Sequence, residues 1–368
     1  MPGQLRRREC GHKPGPRRVR QPADQTGTTR AAHRTGYTQS MSNSDIEREI
    51  REANRTGIDY RAVPPRRSPG PIVDIHTHIH PGPCATRFFE AADLYKITHV
   101  VSMTPLDEVQ PLRDQFPGRL SFIAIPNWKK SDDRTEHRDQ WIADLATFRN
   151  LGSRICKFWM APPMRERHGL TVDHEFIRPV VKAAVELGYH FMIHAGDPSV
   201  WWQPGGKYAD TAKFGTKADQ YPQVEWLLDF VAPRIVIGAH MGGTVEELPR
   251  LQGLLDRHPN YRIDTSATKW IVREVARQPE AVREFAIRNA DRVLFGSDLV
   301  AAEKFTTFDH YASRYWAHQQ MWETPARIES PIHDPDADDP PRLAGVDLPA
   351  DVLRRIYHEN ARDLGFAD

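Results

Sequence analysis

Eight short apolar runs, separated mostly by amphipathic stretches, constrain this chain more than any other feature. The runs span 72–78, 97–103, 120–126, 154–159, 190–194, 234–240, 261–265 and 292–297. Short, nearly continuous apolar runs are how buried parallel strands read. Helix-like stretches lie between most of them, at 137–150, 175–187, 224–230, 245–257 and 279–289. Strands alternating with helices predict right-handed crossovers and a parallel sheet. Eight such units predict an α/β fold of the (β/α)8 TIM-barrel type. The rival, an open doubly wound sheet, would carry a Gly-rich phosphate turn after an early strand. Here the first run ends in Asp74-Ile75-His76-Thr77-His78 instead.

Four of the runs end on residues that bind metals. They supply His76 and His78, then His194, then His240, then Asp298. Residues two apart on a strand share a face, so His76 and His78 can reach one cation. Taken singly, each has a plainer reading. Many His-x-His pairs are structural, a lone histidine can be a satisfied core residue, and Asp298 could cap a helix. Taken together, they place imidazoles and a carboxylate at strand ends that converge on one barrel mouth, where catalytic residues of such barrels sit. A metal-dependent enzyme is the expectation.

Composition narrows the alternatives. Hydrophobic residues make up 39% of 368 residues, enough for a large core, and no apolar run approaches the length of a membrane span. The formal charge of +1 hides an uneven distribution. The first 40 residues hold nine Lys and Arg against Glu9 and Asp24, which leaves the rest mildly acidic. No basic footprint for nucleic acid is left in the folded part. The basic segment has too few large apolar residues to order itself. A nucleic-acid tail or a transit peptide is the less favoured reading of it. We take Met41 as the true start, with residues 1–40 as upstream translation. Residues 1–55 are set apart as a disordered or mis-annotated extension, with a short helix over Ser44–Ala53, and residues 56–368 as the barrel. A Pro-rich, acidic stretch near 319–348 reads as an insertion leaving the catalytic face: a lid, a partner arm or a solvated loop. Residues 351–364 read as a closing helix. Cys10, Cys84 and Cys156 are odd in number and widely spaced, so free thiols in a reducing, cytoplasmic compartment are expected.

The strand-end motifs resemble those of the amidohydrolase superfamily, in its amidohydrolase-related branch. The resemblance rests on Asp74-Ile75-His76-Thr77-His78, His194 in Ile-His-Ala-Gly, His240 in Ala-His-Met-Gly-Gly, Asp298 in Phe-Gly-Ser-Asp, and a closing Asn360-Ala361 pair. It implies that His76, His78, His194 and Asp298 ligate a divalent metal, Zn2+ or alternatively Mn2+. It implies that Asp298 and His240 are catalytic: Asp298 accepts a proton from a metal-activated water, and His240 orients that water or polarises the substrate. Lys157, in the fourth run, has three readings: a carboxylated bridge to a second metal, an anchor for a substrate carboxylate, or an ion-pair partner.

Aromatic residues crowd the inferred mouth, among them Trp128, Trp159, Trp201, Trp202, Tyr208 and Trp270. Trp159 and Trp202 are candidates for stacking a planar substrate. Lys129, Arg165 and Lys207 are candidates for its carboxylate, and His80 for reaching the pocket. The expected activity is hydrolysis of a small carboxylate-bearing ester, lactone or amide. The alternative is non-oxidative decarboxylation on the same scaffold. A non-catalytic binding barrel is a third reading, which the intact ligand set opposes. A small molecule is the expected partner, with no nucleic acid or membrane, and a homo-oligomer is left open.

Overall fold

The computed structural model describes residues 42–127 and 134–366. Trp128, Lys129, Cys10 and Met41 lie outside them, as does the segment 1–40.

All eight apolar runs form strands. In chain order they are β1 (Ile72–Ile79), β2 (Ile97–Ser102), β3 (Leu120–Ala124), β4 (Ile155–Trp159), β5 (His190–His194), β6 (Val236–Gly238), β7 (Tyr261–Asp264) and β8 (Val293–Leu294), with β9 (Leu299–Ala301) directly after. They lie in one parallel sheet in the order β8-β7-β6-β5-β4-β3-β2-β1-β9. The two ends of that order are consecutive in sequence. β8 pairs with β7, β9 pairs with β1, and the four residues between them are Phe295 to Asp298. Across this join Ile75 N donates to Phe295 O at 3.0 Å, and Asp298 N donates to His76 O at 2.7 Å. The eighth run therefore gives way to a four-residue bend that joins β8 to β9 and brings the two ends of the strand order together. The bend is its departure from the uninterrupted strand over 292–297 that the sequence suggests.

The interior is filled by Val73, Ile75, Val101, Met103, Ile123, Ile155, Met192, Ile237 and Leu294. A larger apolar layer lies between the sheet and the helices outside it. Register along β1 is not uniform. Asp74 pairs with Val100 and Thr77 with Ser102, so β1 advances three residues against two on β2. An irregularity of this bulge type shifts the side-chain alternation. It lets Ile75 serve the core while His76, its neighbour, serves the site above it. Gly296 sits at the bend because a Cβ there would come within 2.9 Å of His76 Cβ.

Two segments that the sequence sets apart are placed by the structure. The helix Asn43–Ala53 falls inside the stretch 1–55 set apart as an extension, yet it belongs to the compact unit Met41–Asp368. Glu49, on its buried face, accepts hydrogen bonds from Thr306 N, Thr307 N and Thr307 Oγ1. Those groups start the helix Phe308–Glu323, so Glu49 meets the positive end of that helix. The second segment is 319–348. The helix persists to Glu323, and a small antiparallel hairpin follows, β10 (Arg327–Glu329) with β11 (Arg342–Ala344). The acidic loop of the hairpin is tied down: Asp334 pairs with Arg273, and Asp336 accepts from Trp201 Nε1 at 2.8 Å.

The C-terminal helix Ala350–Arg354 continues through a π-helical turn, Arg355–Glu359, into Asn360–Asp363. Asn360 Nδ2 donates to Ala290 O and Val293 O, both at 2.7 Å, which fixes this end against β8. No described helix is long and apolar enough to cross a membrane. Cys84 and Cys156 are free and buried.

Candidate metal centre

The ends of β1, β4, β7 and the bend after β8 bring five ionisable side chains together: His76, His78, Lys157, Asp264 and Asp298. His76 is fully buried. Its Nε2 lies 3.3 Å from Asp298 Oδ1, and His78 Nε2 lies 3.3 Å from the same oxygen. The donor atoms of His76, His78 and Asp298 all fall within 4.8 Å of one another. Lys157 Nζ approaches His76 Nε2 at 2.8 Å. Asp298 adopts φ 59°, a left-handed conformation that is strained for a residue with a Cβ. Strain of this kind concentrates at functional sites, where surrounding structure enforces it.

Asp264, at the end of β7, holds the opposite side of the cluster. Its Oδ2 lies 2.8 Å from His76 Nδ1, and its Oδ1 accepts from His240 N at 2.9 Å and Ser266 N at 3.0 Å. Ser266 Oγ bridges outward, 2.7 Å from His240 Nδ1 and 3.0 Å from His76 Nδ1. The carboxylate thus orients both histidines. The grouping of His76, His240 and Asp264 as close donor atoms follows from these bonds. Asp264 ends the run Tyr261-Arg262-Ile263-Asp264 as Asp298 ends its own run. The same sequence signal therefore marks it.

His240 and His194 lie beside this cluster. β6 stops at Gly238, and His240 and Met241 turn away with φ 58° and 53°. The His240 ring centre lies 5.0 Å from that of His76 and 4.5 Å from that of His194. His194 Nε2 is engaged by Asp197 Oδ1 at 3.0 Å, and Asp197 Oδ2 accepts from Tyr208 OH at 3.0 Å. Asp74, the first residue of the β1 motif, is structural. It accepts from Ser297 N and Oγ and from Tyr315 OH, which pins the bend after β8 to β1.

Electrostatics follow from burial and these contacts. Burial opposes ionisation of Asp298, but hydrogen bonds from His76 and His78 outweigh it and hold the carboxyl well below its ordinary range. Burial and the Lys157 charge push His76 down, yet Asp264 and Asp298 prevail and raise it. His78 and His240 are both lowered, chiefly by burial. Burial brings Lys157 down to about 8 against the pull of Asp298 and Asp264.

The cluster opens into a cavity of about 490 Å3, a size suited to a small molecule. His194, His240 and Asp298 line it, with Asp197, Trp201 and Trp270. Trp159 and Trp202 are not part of its lining. Trp159 pairs with His194 across β4 and β5, and Trp202 donates to Gly215 O at 3.0 Å. Among the cations suggested by sequence, Arg165 donates to Asp219 O and Lys207 sits 3.3 Å from the Trp201 ring centre; neither lines the cavity. His80 pairs with Glu108 at 2.5 Å, also outside it. Four other cations do line it: Arg48, Lys269, Lys304 and Arg314. Nothing in the sequence pattern around them marks them.

The donor set fits a divalent cation. Two imidazole nitrogens and a carboxylate oxygen converge, and the Asp264–His76 contact is the carboxylate–histidine pairing that orients metal ligands.

No curated protein matches the chain. Among solved structures it is similar to a probable 2-pyrone-4,6-dicarboxylic acid hydrolase from Acinetobacter baumannii with citric acid bound. That match has 13% identity and a TM-score of 0.49, covering 81% of this chain and 100% of that one. It is also similar to 2,6-dihydroxybenzoate decarboxylase from Rhizobium, at 15% identity and a TM-score of 0.46, over 80% of this chain and 98% of that one. A third is 5-carboxyvanillate decarboxylase from Novosphingobium aromaticivorans, complexed with manganese, at 14% identity and a TM-score of 0.48, over 80% of this chain and 96% of that one. The Amidohydro_2 family model, described as amidohydrolase, matches residues 150–364, more than half of the chain. The chain belongs to the amidohydrolase family.

Proposed function

We propose that this protein is a metal-dependent hydrolase that cleaves a small carboxylate-bearing ester, lactone or amide. The observation that carries this reading is the convergence of His76, His78 and Asp298 within 4.8 Å at one mouth of the barrel. These three residues hold the cation in our reading, with His194 as a fourth ligand. His194 Nε2 is taken by Asp197, so Nδ1, which has no hydrogen-bond partner among the described residues, is the atom it offers. Imidazole and carboxylate donors suit Zn2+, with Mn2+ as the alternative. When bound, the cation supplies acidification of a water and polarisation of a carbonyl.

The chain's own residues supply the rest. Asp298 is ionised across the physiological range and stands in the cavity wall, so it is placed to take a proton from a water and return it to a leaving group. His240 stays neutral, and its Nδ1 is held by Ser266 Oγ. That leaves Nε2 to orient the water or the substrate carbonyl. Trp201 and Trp270 supply flat apolar walls for the substrate. Buried free thiols fit a reducing, cytoplasmic setting.

The test is a screen of the metal-loaded protein against lactones, esters, amides and aromatic acids, with products read by mass spectrometry. Products that have gained the elements of water support hydrolysis. Release of carbon dioxide instead would replace it with the decarboxylase reading. His240→Ala should abolish turnover while metal content stays near that of the wild type; loss of metal would make His240 a ligand.

A further inference from the structure

Two cations in the cavity wall lack the partners that buried cations require. Arg314, on the helix Phe308–Glu323, is only 9% exposed. Its Nη1 donates to His310 O at 2.8 Å and Ser313 Oγ at 3.0 Å. Its Nε and Nη2 have no acceptor among the described residues. Lys269 lies in the first turn of the helix Thr268–Arg277 and is half-buried. The left-handed Ala267, at φ 67°, starts that helix and turns its first residues to the cavity. Neither cation forms an ion pair with a carboxylate among the described residues.

The neighbouring acids are committed elsewhere. Glu49 is engaged by Thr306 and Thr307, Asp334 by Arg273, and Asp336 by Trp201. At longer range, without an ion pair, Glu49 and Glu52 act on Arg314, and Glu52, Asp334 and Asp336 act on Lys269. Burial brings Arg314 down to about 10, and burial together with the Arg314 charge lowers Lys269. Two like charges held together away from water are unfavourable without a counter-ion. A cavity that presents them calls for an anion.

We propose that Lys269 and Arg314 bind a carboxylate of the substrate and select for molecules whose carboxylate is separate from the bond that is cleaved. Arg314 offers Nε and Nη2 as a two-pronged donor, and Lys269 adds a point charge. The subsite rests on the proposed function for its place in a reaction, but its ligand chemistry does not depend on the metal.

Calorimetric titration of the full chain with glutarate tests this, with glutaramide as the uncharged twin and with metal-loaded and EDTA-treated protein compared. Glutarate should bind about tenfold or more tightly than glutaramide to both forms. Lys269→Met and Arg314→Met should each weaken glutarate by about tenfold and leave glutaramide unchanged. If Arg314→Met does not fold, Lys269→Met and Arg314→Lys carry the comparison. Equal binding of the two probes, no binding of either, or wild-type glutarate affinity in Lys269→Met would overturn the subsite. Glutarate binding that requires metal would also overturn it, since the carboxylate would then be held by the cation. A chain that binds glutarate through these residues yet takes up no metal would keep the subsite and sink the hydrolase reading.

Discussion

The carboxylate of Asp264 lies 2.8 Å from Nδ1 of His76 and so sets which nitrogen of that ring faces the cluster. With Nδ1–H donated to Asp264, Nε2 keeps its lone pair for the side where Asp298 and His78 converge. Asp264→Asn keeps the shape but removes the charge that favours this tautomer. Metal affinity should fall by about 10–100-fold, measured by competition with a chelator. Unchanged affinity would show that Asp264 does not orient a ligand.

Lys157 stands 2.8 Å from His76 Nε2, where its ammonium opposes a cation. We read the site as holding one metal, with Lys157 as a neighbouring charge. Lys157→Met should bind one divalent cation per chain at least as tightly as the wild type, by metal analysis after chelator titration. A fall from two metals to one or none would identify Lys157 as a bridging ligand.

Glu49 ties the N-terminal helix to the barrel through bonds of 2.9–3.2 Å to Thr306 and Thr307. Glu49→Ala strips the acceptor from buried donors and should cost about 1–3 kcal/mol in denaturant unfolding. A loss well under that range would mean the helix Asn43–Ala53 is held by other contacts.

His318 gives the fold an acid-sensitive point away from the metal cluster. Its Nδ1 accepts from Trp322 Nε1 at 3.2 Å, and its Nε2 pairs with Thr268 Oγ1 at 3.0 Å, so it is buried neutral. Burial holds it down at about 3, against about 6.5 in the unfolded chain. Between those values the unfolded chain takes up a proton that the folded chain refuses. Stability therefore falls as pH drops through this window, by up to about 1.4 kcal/mol per pH unit from this group, and above it the group has no effect. His318→Asn should show a smaller loss of unfolding free energy from about pH 7 to about pH 5 than the wild type. An identical loss would remove His318 from the account.

The strands were legible because each is a short apolar run, and the candidate ligands because each ends one: His76 and His78 on β1, Asp298 after β8. Less visible was what depends on three-dimensional closure. The β1 register slip between Asp74 and Thr77 leaves no mark in the residue pattern, and neither does the bend that splits the eighth run. The helix Asn43–Ala53 was readable as a helix from its acidic first turn, but its place at the cavity rests on Glu49 meeting Thr306 and Thr307, 257 and 258 residues away. Trp201 and Trp202 are adjacent in sequence, and only packing separates the one that lines the cavity from the one that bonds Gly215.

The central claim is that His76, His78 and Asp298 hold a catalytic cation. It is tested most directly by elemental analysis of the purified full chain and of Asp298→Ala after exposure to Zn2+ or Mn2+ and removal of excess. The account predicts about one divalent cation per chain in the wild type and far less in the variant. A wild type that takes up no metal, or a variant that retains as much as the wild type, would contradict it.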